Sequence, residues 1–99
     1  MNISKNYNEK ELTLVIEGRV DTITSQNLHE EINNEIGNFD SLIMDFTDLE
    51  YISSAGLRVL VLVQKKLQPE GIPFVIINVN DTIKEIFSMS GFDKILTIK

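Results

Sequence analysis

Apolar and polar positions alternate through Glu11–Glu17, and Leu12, Val15 and Ile16 make the segment rich in strand formers. It reads as a strand that Gly18 ends. Ile3–Tyr7 reads as a short edge strand before it, with Asn8-Glu9-Lys10 as the connecting turn. The period then changes. Leu28, Ile32 and Ile36 recur every four residues, which predicts a helix, with Glu30, Glu31, Asn33, Asn34 and Glu35 turned to water. Asp21, Thr22 and Thr24 are candidate caps for its start, and Gly37-Asn38 is its stop. Ser41–Asp45 is nearly continuously apolar, as in a central strand. Phe46–Glu50 reads as a polar connection leading through Tyr51-Ile52 to Ser53-Ser54-Ala55-Gly56. Leu57–Leu67 is too long for one buried strand, and Leu57, Leu60, Val61 and Leu67 fall at helical spacing. Gln68-Pro69-Glu70-Gly71 breaks that helix. Phe74–Asn78 predicts another central strand. A short helix capped by Asn80 or Asp81 follows, with Ile83, Ile86 and Phe87 on one face and Ser90-Gly91 at its end. Lys94–Ile98 reads as a last short strand. The order β-β-α-β-α-β-α-β implies an α/β fold with parallel crossovers.

Composition narrows the function. At 99 residues the chain is long enough for one domain, 1–99, with one core. Hydrophobic residues make up 42% and charged residues 24%, which argues against disorder. No apolar run is long enough to span a bilayer, and Met1–Lys5 lacks the apolar core of a signal peptide, so a cytoplasmic location without membrane insertion is the expectation. The absence of cysteine removes disulfides, thiol catalysis and cysteine-based zinc sites. Fifteen acidic against nine basic residues give a net charge of −6. With Lys65-Lys66 the densest basic cluster, no nucleic-acid partner is expected.

Candidate chemistry is sparse. His29 is the only histidine, with no thiol or second histidine to join it at a metal. Asp21, Asp45 and Asp48 would make a carboxylate cluster for Mg²⁺ and a phosphate ester if their strand ends meet; equally, each suits a cap or turn. There is no phosphate-cradling glycine loop and no nucleophile elbow. Neither an enzyme activity nor a cofactor or metal is expected. Ser53-Ser54 is the informative pair. One of the two suits a helix N-cap, and the small Ala55 and Gly56 beyond them leave the backbone open to another protein. Asp21, Thr22 and Ser53 are candidates for the rim of such a surface, since the end of the second strand should lie beside this loop. A bare dimerisation module is a further reading, in which exposed Leu49, Tyr51 or Phe92 would matter more than Ser54.

The segment Asp45-Phe-Thr-Asp-Leu-Glu-Tyr-Ile-Ser-Ser-Ala-Gly-Leu-Arg-Val-Leu60 resembles the signature of STAS domains, and among them the bacterial anti-sigma factor antagonists. Glu17-Gly-Arg-Val-Asp21 resembles the family's Gly-x-Leu/Val-Asp element. Phe74–Asn78, Ile83, Phe87 and Ser90-Gly91-Phe92 resemble its C-terminal part. The resemblance implies a STAS fold: a mostly parallel mixed sheet of about four to five strands packed with about three to four helices. It implies an anti-sigma factor antagonist, a non-enzymatic module switched by phosphorylation. Its partners would be an anti-sigma factor with serine kinase activity, which binds the ATP, and a PP2C-type phosphatase. The chain itself would be a monomer or weak dimer. The serine matching the family's phosphorylated position is Ser54. Family antagonists often carry Asp before that serine and Ser or Thr after it; here Ser53 and Ala55 stand there, which makes Ser53 the secondary candidate. Ser53, Ser54, Ala55, Gly56 and Arg58, with Asp21 and Thr22, would meet the partner. The same resemblance admits an alternative, a STAS accessory subunit docking on a transport ATPase without phosphorylation.

Overall fold

A computed structural model describes residues 1–99. Its strands are β1 (Asn2–Asn8), β2 (Glu11–Val20), β3 (Ser41–Asp45), β4 (Leu49–Ile52), β5 (Phe74–Ile77) and β6 (Thr97–Ile98). The α-helices are α1 (Thr24–Glu35), α2 (Ser54–Leu67) and α3 (Asp81–Ser90), with single 3₁₀ turns at Gln68–Glu70 and Phe92–Lys94. The sheet order is β1-β2-β3-β5-β6, and β4 also pairs with β2. Only β1 runs antiparallel to its neighbour. This is the α/β fold with a mostly parallel mixed sheet that the pattern implies, with six strands where four to five were expected.

The connections from β2 to β3, from β3 to β5 and from β5 to β6 step the same way across the sheet. Right-handed crossovers therefore put α1, α2 and α3 on one face. Burial alternates accordingly. Leu12, Leu14, Ile16, Leu42, Met44, Phe74 and Ile76 are buried beneath the helices, whereas Thr13, Val15, Ile43, Val75 and Ile77 on the other face are half-buried. Leu28 and Ile32 of α1, Leu57, Leu60, Val63 and Leu67 of α2, and Ile83 and Phe87 of α3 complete one continuous core. On the outer side of α1, Lys5 Nζ pairs with the carboxylates of Glu31 and Glu35, and the Tyr7 hydroxyl donates to Glu35 Oε1 at 2.7 Å. These contacts fasten the edge strand β1 to the helix layer.

Three expectations fail, each for a local reason. Gly18 does not end β2. It takes φ +88°, and its N–H donates to Asp48 O at 3.0 Å, so the strand continues to Val20. Phe46–Glu50 is not wholly a connection, because its second half is β4. Gly18 pairs with Leu49 and Arg19 with Tyr51, so Glu50 is the extra residue of a bulge. Only Leu49 and Ile52 of β4 are buried, and the polar residues around Leu49 hide the strand signal. Leu49 is therefore a core residue and not an exposed dimerisation contact. Finally, Lys94–Ile98 is a strand only at Thr97–Ile98, since Phe92–Lys94 coil into a 3₁₀ turn.

Candidate functional site

The site is built where β2 and β4 end side by side. Val20 and Ile52 are register partners, and Ser53 N–H donates to Val20 O at 2.8 Å. Both strands then lead into helices, β2 into α1 and β4 into α2.

At the start of α2 the two adjacent serines take different roles. Ser53 is the N-cap, with φ −82° and ψ 171°, and its Oγ accepts from Gly56 N–H at 3.2 Å. Its carbonyl accepts the first helical bond, from Leu57 N–H at 2.9 Å. Ser53 is 9% exposed. Ser54 is the first helical residue, and its side chain is exposed with no hydrogen-bond partner in the chain. One turn later, Arg58 is also exposed and makes no ion pair. Ala55 is half-exposed beside them.

Gly56 is buried, which corrects the expectation that it keeps the backbone open to a partner. A Cβ there would lie 2.7 Å from Ile52 Cγ1 and 2.8 Å from Val20 Cγ1. Its lack of a side chain lets the first turn of α2 sit directly on the sheet, facing inward. The surface beside Ser54 is formed by Ala55 and Arg58, not by Gly56.

Across the strand ends, Asp21 and Thr24 bond reciprocally and close the turn that leads into α1, whose own N-cap, Ile23, makes no side-chain cap bond. Asp21 Oδ1 accepts from Ile23 N–H at 3.0 Å and Thr24 N–H at 2.9 Å, and Asp21 N–H donates to Thr24 Oγ1 at 2.8 Å. The Thr24 amide, then the Thr24 hydroxyl, hold the Asp21 carboxyl below its usual range, helped by Ile23 N–H and the Arg19 charge against partial desolvation. Thr22 is exposed and does not cap with its side chain; its carbonyl accepts from Ser25 Oγ at 2.9 Å. Asp21, Thr22, Ser53, Ser54, Ala55 and Arg58 thus come together at one end of the sheet.

Two features escaped the sequence reading. Ile23 is 75% exposed at the tip of the β2–α1 turn. The Arg19 guanidinium lies 4.4 Å from the Tyr51 ring centroid, so the exposed tyrosine is stacked under a cation. The stacking follows from pairing Arg19 of β2 with Tyr51 of β4, which no sequence spacing reveals. Asp45 is elsewhere occupied. Its Oδ1 accepts from Thr47 N–H at 3.0 Å, Thr47 Oγ1 at 2.6 Å and Asn78 Nδ2 at 3.0 Å. Burial pushes this carboxyl up, but the hydrogen bonds outweigh it and leave it below its usual value. No three acidic or histidine side chains converge as a metal site would require, and His29 is half-buried on α1.

A six-stranded, mostly parallel sheet with three helices on one face, and an exposed serine at the start of the central helix, defines the class. The STAS domain model matches residues 2–99, and the chain belongs to that family. Among its relatives is BtrV of Bordetella bronchiseptica, named as a candidate anti-sigma factor antagonist. It is 31% identical over 88 residues, covering 88% of this chain and 76% of BtrV. The anti-sigma-B factor antagonist of Listeria monocytogenes is 26% identical over 103 residues, covering 100% of this chain and 90% of that protein. In structure the chain is similar to the anti-sigma factor antagonist SpoIIAA. The unphosphorylated form superposes with TM-score 0.84 at 15% identity, over 99% of this chain and 88% of SpoIIAA. The phosphorylated form of the Bacillus protein gives 0.78 at 16% identity, over 99% and 91%. No helix is long and apolar enough to cross a membrane.

Proposed function

We propose that this STAS domain is an anti-sigma factor antagonist, a non-enzymatic cytoplasmic module whose docking surface is switched by phosphorylation of Ser54. The observation that carries the reading is the division of labour between two neighbouring serines. Ser53 Oγ is engaged in the cap and nearly buried, while Ser54 Oγ is exposed and unpaired on a fixed first helical turn. The names of the relatives, and the existence of SpoIIAA in two phosphorylation states, support it.

The partner would be an anti-sigma factor with serine kinase activity, bound through Asp21, Thr22, Ser54, Ala55 and Arg58. In the transfer, Ser54 Oγ attacks the γ-phosphorus of ATP held by the partner. The bond to the leaving ADP breaks, and the hydroxyl proton passes to a base of the kinase. The product carries about −1.5 to −2 added charge. The free amides and dipole at the start of α2 tolerate that charge, so the fold persists. An interface that desolvates it does not, since an unpaired buried charge costs several kcal/mol and about 1.4 kcal/mol is already tenfold in affinity. A PP2C-type phosphatase would restore the hydroxyl. Unphosphorylated chain, as a monomer or weak dimer, would sequester the anti-sigma factor and free its sigma factor.

The test is incubation of the cognate anti-sigma factor and ATP with the chain, followed by mass mapping and binding measurements. Phosphate is expected on Ser54 and not Ser53. Both phosphoprotein and Ser54→Asp should bind at least tenfold more weakly. Equal affinity of the modified and unmodified chains would reject the switch.

A further inference from the structure

The chain contains two arginines, Arg19 and Arg58, and both lie on elements that meet at Ser54. Arg19 is held over the Tyr51 ring at 4.4 Å. Arg58 is exposed, four residues beyond Ser54 on the same helix, and makes no ion pair or hydrogen bond; the ion pairs in the chain are those of Lys5 with Glu31 and Glu35. Side chains on an α-helix lean toward its N-terminus, so the Arg58 side chain is directed back over the turn that carries Ser54. Residues four apart are surface neighbours, and an anion placed N-terminal to a cation is the favourable order. The turn between them is also fixed, by the Ser53 cap at one end and by Gly56 pressed onto Ile52 and Val20.

From this placement we infer that Arg58 is a phosphate clamp in cis: once Ser54 carries a phosphate, the Arg58 guanidinium turns onto its oxygens and holds it against the helix. The inference rests on Ser54 being the modified residue. It gives the switch a second arm. Phosphorylation adds negative charge and, in the same step, withdraws from the docking surface a cation that the unmodified chain offers to a partner. Arginine suits this role because its planar fork matches two phosphate oxygens at once. Of the other basic side chains on α2, Lys65 and Lys66 sit at its far end, about two turns beyond Arg58.

The test needs no partner. Phosphoserine is installed at position 54 of the full chain by genetic-code expansion, in wild-type, Arg58→Gln and Arg58→Lys backgrounds. The wild-type chain has two arginine Nε–Hε NMR signals. Phosphate at position 54 should move that of Arg58 and leave that of Arg19 in place. The phosphate should also raise the thermal midpoint by about 4 °C more in wild type than in Arg58→Gln, with Arg58→Lys between them. An unmoved Arg58 signal, or the same phosphate-induced shift in wild type and Arg58→Gln, overturns the clamp. Because these readings concern the isolated phosphoprotein, they separate from the switch itself. A moved Arg58 signal alongside unchanged partner affinity retains the clamp and removes the switch, and the converse result retains the switch and removes the clamp.

Discussion

Gly56→Ala should destabilise the domain although alanine is the better helix former. The added Cβ would sit 2.7 Å from Ile52 Cγ1, 2.8 Å from Val20 Cγ1 and 3.2 Å from Ile52 Cδ1. Ile52 and Val20 are 2% and 0% exposed, so neither has free space to retreat into. Overpacking of this kind costs about 1–3 kcal/mol. Against it stands a gain of about 1 kcal/mol from replacing glycine by alanine in a helix, reduced here because Gly56 lies in the first turn. The net loss is about 1–2 kcal/mol, a fall in melting temperature of roughly 5–15 °C for a domain of this size. Thermal and urea melts followed by far-UV circular dichroism measure it, with an unchanged urea slope indicating that the folded state stays compact. A variant that melts at or above wild type would refute the claim that α2 is seated on β2 and β4 through Gly56, and with it the fixed presentation of Ser54.

Ser53→Ala removes the cap of α2 and should cost about 1 kcal/mol in chemical denaturation, while leaving Ser54 available to a kinase. Acid should weaken the fold through Asp21. Its carboxyl titrates lower in the folded than in the unfolded chain, so its contribution is present above the usual aspartate value of 3.8 and is lost as pH falls through the folded value. Asp21→Asn keeps the acceptor and should flatten that part of a stability-against-pH curve. Tyr7 should ionise late. Desolvation, then its hydrogen bond to Glu35, push it up to about 12, so stability tied to this group is present below pH 10 and lost between 10 and 12. Ultraviolet titration should show a late-ionising tyrosine that Tyr7→Phe abolishes.

The helices were legible because each has an apolar stripe and a stop. Leu28 and Ile32, then Leu57, Leu60 and Leu67, then Ile83 and Phe87 are all buried as their spacing implies. The paired strands β3 and β5 were legible as short apolar runs. What escaped depends on partners distant in sequence. Gly18 reads as a strand end because glycine usually interrupts strands, yet here it lets β2 pass from β3 to β4 without breaking. β4 has two buried residues among polar neighbours, and its bulge at Glu50 destroys the alternation that would announce it. Of the site, the chain near Ser54 was readable from its motif. The inward turn of Gly56 was not, since small residues at a helix start look the same whether they face a partner or the sheet.

Those two kinds of information meet in the serine pair. From sequence alone Ser53 and Ser54 are chemically equivalent hydroxyls one residue apart. The packing of Gly56 makes them unequal. By seating the first turn on Ile52 and Val20, it places Gly56 N–H where Ser53 Oγ caps it, and the next residue is rotated outward by the helical step of about 100°. One serine then completes the fold and the other is left to solvent. A phosphate on Ser53 would have to abandon the cap and enter a nearly closed space, whereas on Ser54 it adds charge where water already is. The constraint that leaves Ser54 and not Ser53 to solvent is thus a contact in the core, and under the proposed switch substitutions at Val20 or Ile52 that loosen it should lower selectivity between the serines before they lower the affinity for a partner.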